Sequence, residues 1–352
     1  MSVERVLAHF DEQAQFCTAY GSPFTGELIT RMRGDIAENG PTAAIIGEWP
    51  TNPRADALSL RLAGALHAAV LTGRDTALAA LYPAQTPAWR MDDVWPAARA
   101  FLAREADWVR GFIRSPPQTN ETRRAIALLA GFLAFAREWQ GPVDLLEIGA
   151  SAGLNLNWDR FAYRTDSWSW GPESPVVIDT DWQGAPPPLS AVHVRNRAAC
   201  DLNPLDIRDE AARLTLRSYI WADQPERLAR FDGAAALALK HDTRVDRADA
   251  AAWIAEKLAA RADDAATIVY HSVFLQYPPR DAREAIVRAI AAAGARATDA
   301  APLAWVRLEP EAVTDGVHNN LRFVIDLTTW PGGMRRVLGY TDGHVRAIYA
   351  AD

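Results

Sequence analysis

The pattern of apolar and polar residues divides the chain into a helical first part and an alternating second part. In residues 1–140, apolar side chains recur every three or four positions, and proline and glycine separate the repeats. The first of these stripes consists of Val6, Leu7, Phe10, Ala14 and Cys17. No alternation typical of strands occurs in this half. We therefore predict an all-helical domain over residues 1–140, whose apolar stripes pack into a core.

From residue 141 onwards, short apolar runs alternate with helical patterns, which predicts a layered α/β domain over residues 141–352 with a mainly parallel sheet. The strand candidates are 143–148, 192–200, 242–246, 266–271 and 303–308. The helical patterns are 154–161, 206–219, 224–238, 248–262 and 280–293. After Pro310, strand-like runs at 321–329, 335–340 and 345–349 are joined by turns too short for crossovers, so we expect the sheet to end in an antiparallel meander.

Residues 163–192 interrupt this alternation. Trp168, Trp170 and Trp182 occur there among Asp, Ser and Pro residues. We interpret the segment as an insertion between the first helix and the second strand. It is either a packed surface excursion or a lid or substrate wall built on aromatic side chains.

Composition narrows the classes of function. The formal net charge of −7 does not favour binding to nucleic acids or anionic membranes. Two cysteines, Cys17 and Cys200, are too few for a disulfide framework and fit a reducing cytoplasm. The first residues are charged and lack a signal-peptide core, and no uncharged apolar run approaches the roughly 18 residues that span a bilayer. We expect a cytoplasmic protein with a small-molecule substrate, and the sequence leaves its oligomeric state open.

A turn of small residues follows the first predicted strand. Gly149, Ser151 and Gly153 occupy alternate positions, where small side chains let the backbone bend and a ligand approach the main chain. With Glu147 two residues before the turn, the segment resembles the first motif of class I S-adenosylmethionine-dependent methyltransferases, except that Ser151 replaces the middle glycine. The resemblance implies that these four residues bind S-adenosylmethionine.

An acidic residue ends the second predicted strand. A nucleoside-binding domain of this type places a carboxylate for the ribose hydroxyls roughly 20 residues after the glycine turn. Asp201 lies 48 residues after Gly153, and 18 remain when the 30 residues of the 163–192 insertion are left out. We therefore predict that Asp201, with Leu202 beside it, binds the cofactor ribose. The alternative is a helix cap before Pro204.

The third-strand region carries two further acids, Asp246 and Asp249. It resembles the part of the methyltransferase family in which an acidic side chain and the next small residue meet the adenine. The resemblance favours Asp249 and Ala250 for that role, with Asp246 as the second choice. Either aspartate could instead cap the following helix.

The ends of the fourth and fifth strands supply the catalytic candidates. The fourth strand delivers Tyr270 and His271 to the sheet edge, beside the methyl group in methyltransferases of this architecture. His271 could act as a base because imidazole titrates near neutrality, or it could be a structural histidine. Gln276 and Tyr277 are weaker candidates for orienting a substrate, and the loop after the fifth strand adds Glu309 and His318.

The order of the motifs resembles a bacterial family of unknown function, domain of unknown function 2332. They run Gly-Ala-Ser-Ala-Gly-Leu-Asn-Leu, Cys-Asp-Leu-Asn-Pro-Leu-Asp, Val-Tyr-His-Ser-Val-Phe-Leu-Gln-Tyr and Leu-Thr-Thr-Trp-Pro-Gly-Gly. The resemblance implies a Rossmann-like, class I methyltransferase-type sheet, and the pattern of residues 1–140 adds a helical cap domain. It implies no particular methyl acceptor.

Other chemistries are less well supported by the spacing. The NAD motif Gly-x-Gly-x-x-Gly fails at Ser151 and Leu154, and no His-x-x-x-His pair suggests a metal site. A Gly-x-Ser-x-Gly motif with Ser151 as nucleophile is present, but a hydrolase would place several strands before it. The main hypothesis is an S-adenosylmethionine-dependent methyltransferase that acts on a small molecule, with the helical domain covering the cofactor cleft. The second hypothesis is a module that binds S-adenosylmethionine or S-adenosylhomocysteine without transferring a methyl group.

Overall fold

Apolar spacing at the start of the chain produces the helices predicted there. The structure, a computed structural model, describes residues 3–118, 120–316 and 322–351. In α1 (Val3–Ala19), Val6, Phe10, Ala14 and Cys17 are buried on one face. The helices that follow are α2 (Pro23–Ala37), α3 (Pro41–Ile46), α4 (Leu58–Leu71), α5 (Thr76–Leu81), α6 (Met91–Arg104), α7 (Ala106–Phe112) and α8 (Arg124–Glu138). The described part of residues 1–140 is therefore helical and contains no strand, as predicted.

Contacts between residues divide the chain into two units. One unit consists of Met1–Thr119 with Asp209–Ala229, and the other of Asn120–Arg208 with Arg230–Asp352. The first unit contains α1 to α7 and also α9 (Glu210–Ser218), whereas α8 belongs to the second. Helix α10 (Pro225–Lys240) begins in one unit and ends in the other. The sequence boundary near residue 140, which concerns independently folding domains, stays a prediction.

The first unit is held together by a core of apolar side chains from its helices. Phe10, Phe24, Leu62 and Phe101 belong to that core and are almost fully buried. Helix α9 packs closely on α4, because a Cβ atom at Gly64 would lie 2.7 Å from the Tyr219 ring. Glycine at this position therefore allows the two helices to approach each other.

The second unit is built on strands that the sequence largely predicts. The strands are β1 (Pro142–Ile148), β2 (Ala162–Arg164), β3 (Ser169–Trp170), β4 (Val177–Asp179), β5 (Asp181–Gln183), β6 (His193–Asp201), β7 (Asp246–Arg247), β8 (Ala266–Ser272), β9 (Leu303–Pro310), β10 (Phe323–Trp330), β11 (Met334–Thr341) and β12 (Ala347–Ala350). The predicted run 242–246 contributes only its last residue to β7. A 3₁₀ helix at Leu154–Arg160 takes the place of the first predicted helix.

The main sheet has the strand order β5-β12-β11-β10-β9-β8-β1-β6-β7. Strands β7, β6, β1, β8 and β9 are parallel, so their carboxyl ends share one edge. Helices α11 (Ala250–Ala259) and α12 (Arg280–Gly294) supply a core with Val269 and Trp305. Helix α8 packs close to β9, where a Cβ atom at Gly131 would lie 2.5 Å from the Val306 side chain. The predicted mainly parallel central sheet is confirmed.

The last strands run antiparallel, as the short turns predict. Strand β10 pairs antiparallel with β9, β11 with β10, and β12 with β11. A short helix, α13 (Glu311–Thr314), separates β9 from β10. The meander therefore extends the parallel sheet without further crossovers.

The Trp-rich insertion is partly incorporated into the main sheet. Its strand β5 pairs in parallel with β12 and forms the outer edge, whereas β2, β3 and β4 form a separate three-stranded sheet. Trp168 and Trp182 contact each other edge to face, with ring centroids 5.0 Å apart. The insertion therefore contains β3, β4, β5 and most of β2, strands that the sequence did not suggest.

The length and polarity of the helices bear on membrane insertion. Within residues 3–118, 120–316 and 322–351, no helix combines the length and apolar character needed to cross a bilayer.

Candidate functional site

The candidate site lies at the carboxyl edge of the parallel strands and begins with the turn after β1. Gly149, Ser151 and Gly153 have φ angles of 68°, 55° and 73°. This left-handed conformation is easy for glycine and uncommon for serine. The Ala150 amide donates to the Cys200 carbonyl at 3.1 Å, which ties the turn to β6.

Asp201 holds the middle of this turn. Its Oδ2 atom accepts a hydrogen bond from the Ser151 amide at 2.8 Å, and its Oδ1 atom accepts one from the Asn203 amide at 2.9 Å. The carboxylate therefore joins the carboxyl ends of β1 and β6. Leu202, next to it, is exposed. The structure brings Asp201 and the turn together, and the predicted binding of ribose by Asp201 and Leu202 stays a prediction.

Asn120 fixes the far end of the turn. Its Oδ1 atom accepts a hydrogen bond from the Leu154 amide at 3.0 Å. Helix α8, which follows Asn120, begins at Arg124 without a side-chain cap. Asn120 and Leu154 are 34 positions apart, so no local sequence pattern predicts this contact.

Glu147 and Tyr270 form a buried pair on the face of the sheet that α8 covers. Tyr270 Oη donates to Glu147 Oε2 at 3.3 Å, and the Tyr270 ring meets Phe132 edge to face. Burial raises the pKa of Glu147 to about 8, and the charge of Asp201 acts in the same direction. Burial likewise raises the pKa of Tyr270 well above its usual range. At neutral pH, Glu147 is therefore mostly a neutral acid.

His271 lies on the opposite face of β8, in a network with Glu309 and Trp305. Its Nδ1 atom is 2.6 Å from Glu309 Oε1, and its Nε2 atom is 3.1 Å from Trp305 Nε1. An indole nitrogen can only donate, so Nε2 must accept and Nδ1 must carry the proton that bonds Glu309. The side chains of His271 and Glu309 are fully buried. In this arrangement neither nitrogen of His271 is available to take a proton from a substrate.

The segment after β8 folds back over the glycine turn. A Cβ atom at Gly149 would lie 2.1 Å from Cδ2 of Phe274, so the ring packs directly on the glycine. The amides of Phe274 and Leu275 donate to Glu309 Oε1 at 2.8 and 3.2 Å. Val273, just before them, has a φ of 54°, which is strained for a β-branched residue. The sequence identified Glu309 as an edge residue but gave no sign of this contact with Phe274.

Asp249 caps α11 in the structure. Its Oδ1 atom accepts hydrogen bonds from the amides of Ala251 and Ala252, both at 3.0 Å, and Ala250 is the first residue of the helix. Asp246 accepts a hydrogen bond from Trp253 Nε1 at 2.8 Å. The cap that the sequence left open is therefore formed by Asp249, and the predicted adenine contact of Asp249 and Ala250 stays a prediction.

Two of the remaining candidates, Gln276 and Tyr277, are exposed. Tyr277 is 73% exposed, and Gln276 lies beside it on the surface. His318 falls outside the described residues. In the portion of the chain that the structure describes, no group of three or more His, Cys, Asp or Glu residues is arranged to hold a metal ion.

Comparisons with known proteins place this arrangement in a family. The protein combines an α/β sheet with a turn of small residues at its carboxyl edge. A family model matches residues 8–349, and the chain belongs to that family, described as "Uncharacterized protein conserved in bacteria (DUF2332)". Comparisons with curated proteins and with solved structures gave no match.

Proposed function

We propose that this protein is an S-adenosylmethionine-dependent methyltransferase that acts on a small-molecule acceptor. The observation that carries the proposal is the hydrogen bond between the Ser151 amide and Asp201, which joins the glycine turn to the carboxylate expected to bind ribose. That distance of 2.8 Å connects two motifs that lie 50 residues apart in the chain.

The position of the turn in the sheet supports the same proposal. The chain moves from β1 outwards to β6 and β7 and then returns to β8 on the other side of β1. In open α/β sheets, ligands bind outside the carboxyl ends of the strands where the order reverses in this way. Here that point lies between the ends of β1 and β8, at Gly149 and Phe274.

The Asp201 carboxylate is compatible with binding a ribose. Each Asp201 oxygen accepts one amide and has a further lone pair for a ribose hydroxyl. The cofactor would supply a methyl group bound to a sulfonium, and the protein would hold the acceptor in line with it. Because no nitrogen of His271 is free, the observed arrangement favours an acceptor that is nucleophilic without deprotonation, such as a thiolate or a neutral amine.

Titration calorimetry with S-adenosylmethionine, S-adenosylhomocysteine and NAD tests the proposal. We expect the first two to bind and NAD not to bind. If neither bound at high micromolar concentrations, both the transferase and a cofactor-binding module would be ruled out.

A binding module without transferase activity is the second candidate, because both catalytic candidates, Tyr270 and His271, are fully buried. Transfer of a labelled methyl group to a metabolite extract separates this candidate from an enzyme. His271→Ala should be compared with the parent protein. Equal turnover would remove His271 from the catalytic role, and loss of turnover with cofactor binding retained would support that role.

The serine hydrolase hypothesis has its own test. The positive φ of Ser151 is compatible with a strained nucleophile turn, but β1 is the first strand of the sheet and a 3₁₀ helix follows the turn. A hydrolase would cleave a fluorogenic ester and lose that activity in Ser151→Ala. We expect no cleavage by either protein.

A further inference from the structure

The ring of Phe274 occupies the approach to the first glycine of the turn. A Cβ atom at Gly149 would overlap the ring, with Cδ2 at 2.1 Å, Cγ at 2.6 Å and Cε2 at 2.9 Å. A ligand that contacts the Gly149 main chain from this side must therefore displace the ring. The glycine is required here by Phe274 itself, in addition to any ligand.

Buried polar contacts hold Phe274 in this position. Glu309 Oε1 accepts hydrogen bonds from the amides of Phe274 and Leu275 and from the Nδ1 atom of His271. The Val273 amide donates to the Leu308 carbonyl at 2.7 Å. The segment is thus anchored to the end of β9 on both sides of Val273. Hydrogen bonds to a buried carboxylate are stronger than those between neutral groups.

One feature of the same segment favours movement. Val273 has the positive φ that β-branched residues avoid. Backbone strain of this kind raises the free energy of the observed conformation and is found at segments that switch between states.

We propose that Phe274 closes the crevice at the glycine turn, and that Glu309 is the positioning residue that keeps it closed until the cofactor binds. This inference rests on the function proposed above. Glu309 acts through the main chain of Phe274 and Leu275. Cofactor binding then requires the ring to move off Gly149, which lowers the apparent affinity by the fraction of molecules that are open.

The affinity for S-adenosylhomocysteine tests the gate. Phe274→Ala removes the ring and should tighten binding, by about tenfold if one molecule in ten is open. Phe274→Leu keeps an apolar side chain near Gly149, so its affinity should lie between those of the parent and of Phe274→Ala. Tyr349→Ala, which removes an exposed ring on β12, is the matched control and should bind like the parent. Weaker or unchanged binding by Phe274→Ala would overturn the gate.

Fluorine NMR tests the role of Glu309 without ligand. The reporter is 4-fluorophenylalanine incorporated at position 274, observed in the parent and in Glu309→Gln. We expect the resonance to shift in Glu309→Gln because the ring moves off Gly149. S-adenosylhomocysteine should shift the parent resonance in the same direction. If Glu309→Gln does not fold, Glu309→Asp, whose shorter side chain withdraws the acceptor from both amides, replaces it.

The two experiments separate failure of the gate from failure of the proposed function. If no adenosyl ligand binds to the parent or to Phe274→Ala, the proposed function fails, and the ligand-free resonance alone decides whether Glu309 positions Phe274. An identical resonance in the parent and the Glu309 variant would overturn the positioning role. A shifted resonance together with weaker binding in Phe274→Ala would make Phe274 a ligand contact and not a gate.

Discussion

Tyr270 Oη and Glu147 Oε2 lie 3.3 Å apart and join two buried side chains, and Glu147 precedes the glycine turn by two residues. Burial is the main reason that the pKa of Glu147 rises from 4.5 to about 8 in the folded protein. Asp201 raises this pKa further, whereas the hydrogen bond from Tyr270 lowers it. The carboxyl group of Glu147, two residues before the glycine turn, therefore favours its neutral form.

This pKa makes the stability of the protein depend on pH. Between pH 4.5 and 8 the folded state holds a proton on Glu147 that the unfolded state has lost. The free energy of unfolding should therefore fall as pH rises through this window, by at most about 1.4 kcal/mol per pH unit from this group. Glu147→Gln has no proton to lose at this position. Between pH 5 and pH 8, its free energy of unfolding should therefore fall by roughly 2–4 kcal/mol less than that of the parent.

Urea unfolding at pH 5, 6.5 and 8, followed by tryptophan fluorescence, measures this difference. Glu256→Gln changes an exposed carboxyl group on α11 and should follow the parent at each pH. Equal pH dependence in Glu147→Gln and the parent would mean that Glu147 titrates at its ordinary pKa.

Asp201 should contribute strongly to cofactor binding if it binds the ribose. We expect Asp201→Ala to weaken S-adenosylhomocysteine binding by about 1–3 kcal/mol, the usual effect of losing a hydrogen-bonded charged group. Calorimetry measures the affinity, and the thermal midpoint shows whether the turn has loosened, because Asp201 also holds the Ser151 amide. Asp206→Ala changes an exposed aspartate in the following loop and serves as the control. An affinity equal to that of the parent would refute the ribose assignment.

The sequence located the glycine turn and Asp201 at the carboxyl ends of two predicted strands, and their roles in binding stay predictions. The turn follows the mostly buried β1, Asp201 is the last residue of β6, and adjacent parallel strands bring their carboxyl ends together. Side-chain contacts between residues far apart in the sequence produce no local pattern that could predict them. Nothing in the sequence near Phe274 indicates that its ring packs on Gly149, which precedes it by 125 positions. The same is true of Asn120, whose side chain binds an amide far along the chain.

The fold shows the same limit. Apolar runs identified β1, β8 and β9, because each buries most of its side chains. Strand β5 has three residues and only one of them is buried, so it has no periodicity to detect. Its place beside β12 depends on pairing with the end of the chain.

The contact between Gly149 and Phe274 predicts a coupled effect on stability. Gly149→Ala places a methyl group 2.1 Å from the ring at a φ of 68°, so both overpacking and backbone strain should destabilise it, by about 1–4 kcal/mol in total. Adding Phe274→Ala to Gly149→Ala should restore the part of the free energy of unfolding that overpacking removes. Chemical denaturation of the two single variants and the double variant measures the coupling energy.

Gly73→Ala is the control for backbone strain alone. Gly73 has a φ of 66°, and no described atom lies within 4 Å of the position that a Cβ atom would take there, so this variant should lose only about 1 kcal/mol. Additive effects of Gly149→Ala and Phe274→Ala would show that the ring does not pack on the glycine in solution.

The buried carboxylate of Asp326 should be the most sensitive position of the antiparallel meander. Its two oxygens accept hydrogen bonds from Arg307 Nε and Nη2, both at 2.7 Å, and Oδ2 also accepts one from Arg335 Nε at 2.8 Å. Asp326 is fully buried and Arg307 nearly so. Asp326→Ala would leave the Arg307 charge without its partner, and removing one partner of such a pair typically costs about 3–5 kcal/mol.

Arg335→Ala provides the matched comparison for Asp326→Ala. Arg335 is partly exposed and also pairs with Asp315, so its loss leaves the bidentate contact between Arg307 and Asp326 in place. We expect a cost of about 1 kcal/mol for this change. Urea unfolding of both variants measures the difference. If the buried ion pair stabilises the meander, Asp326→Ala should lower the free energy of unfolding more than Arg335→Ala does. Similar losses would mean that the meander is stabilised by its apolar contacts and that the buried ion pair contributes little.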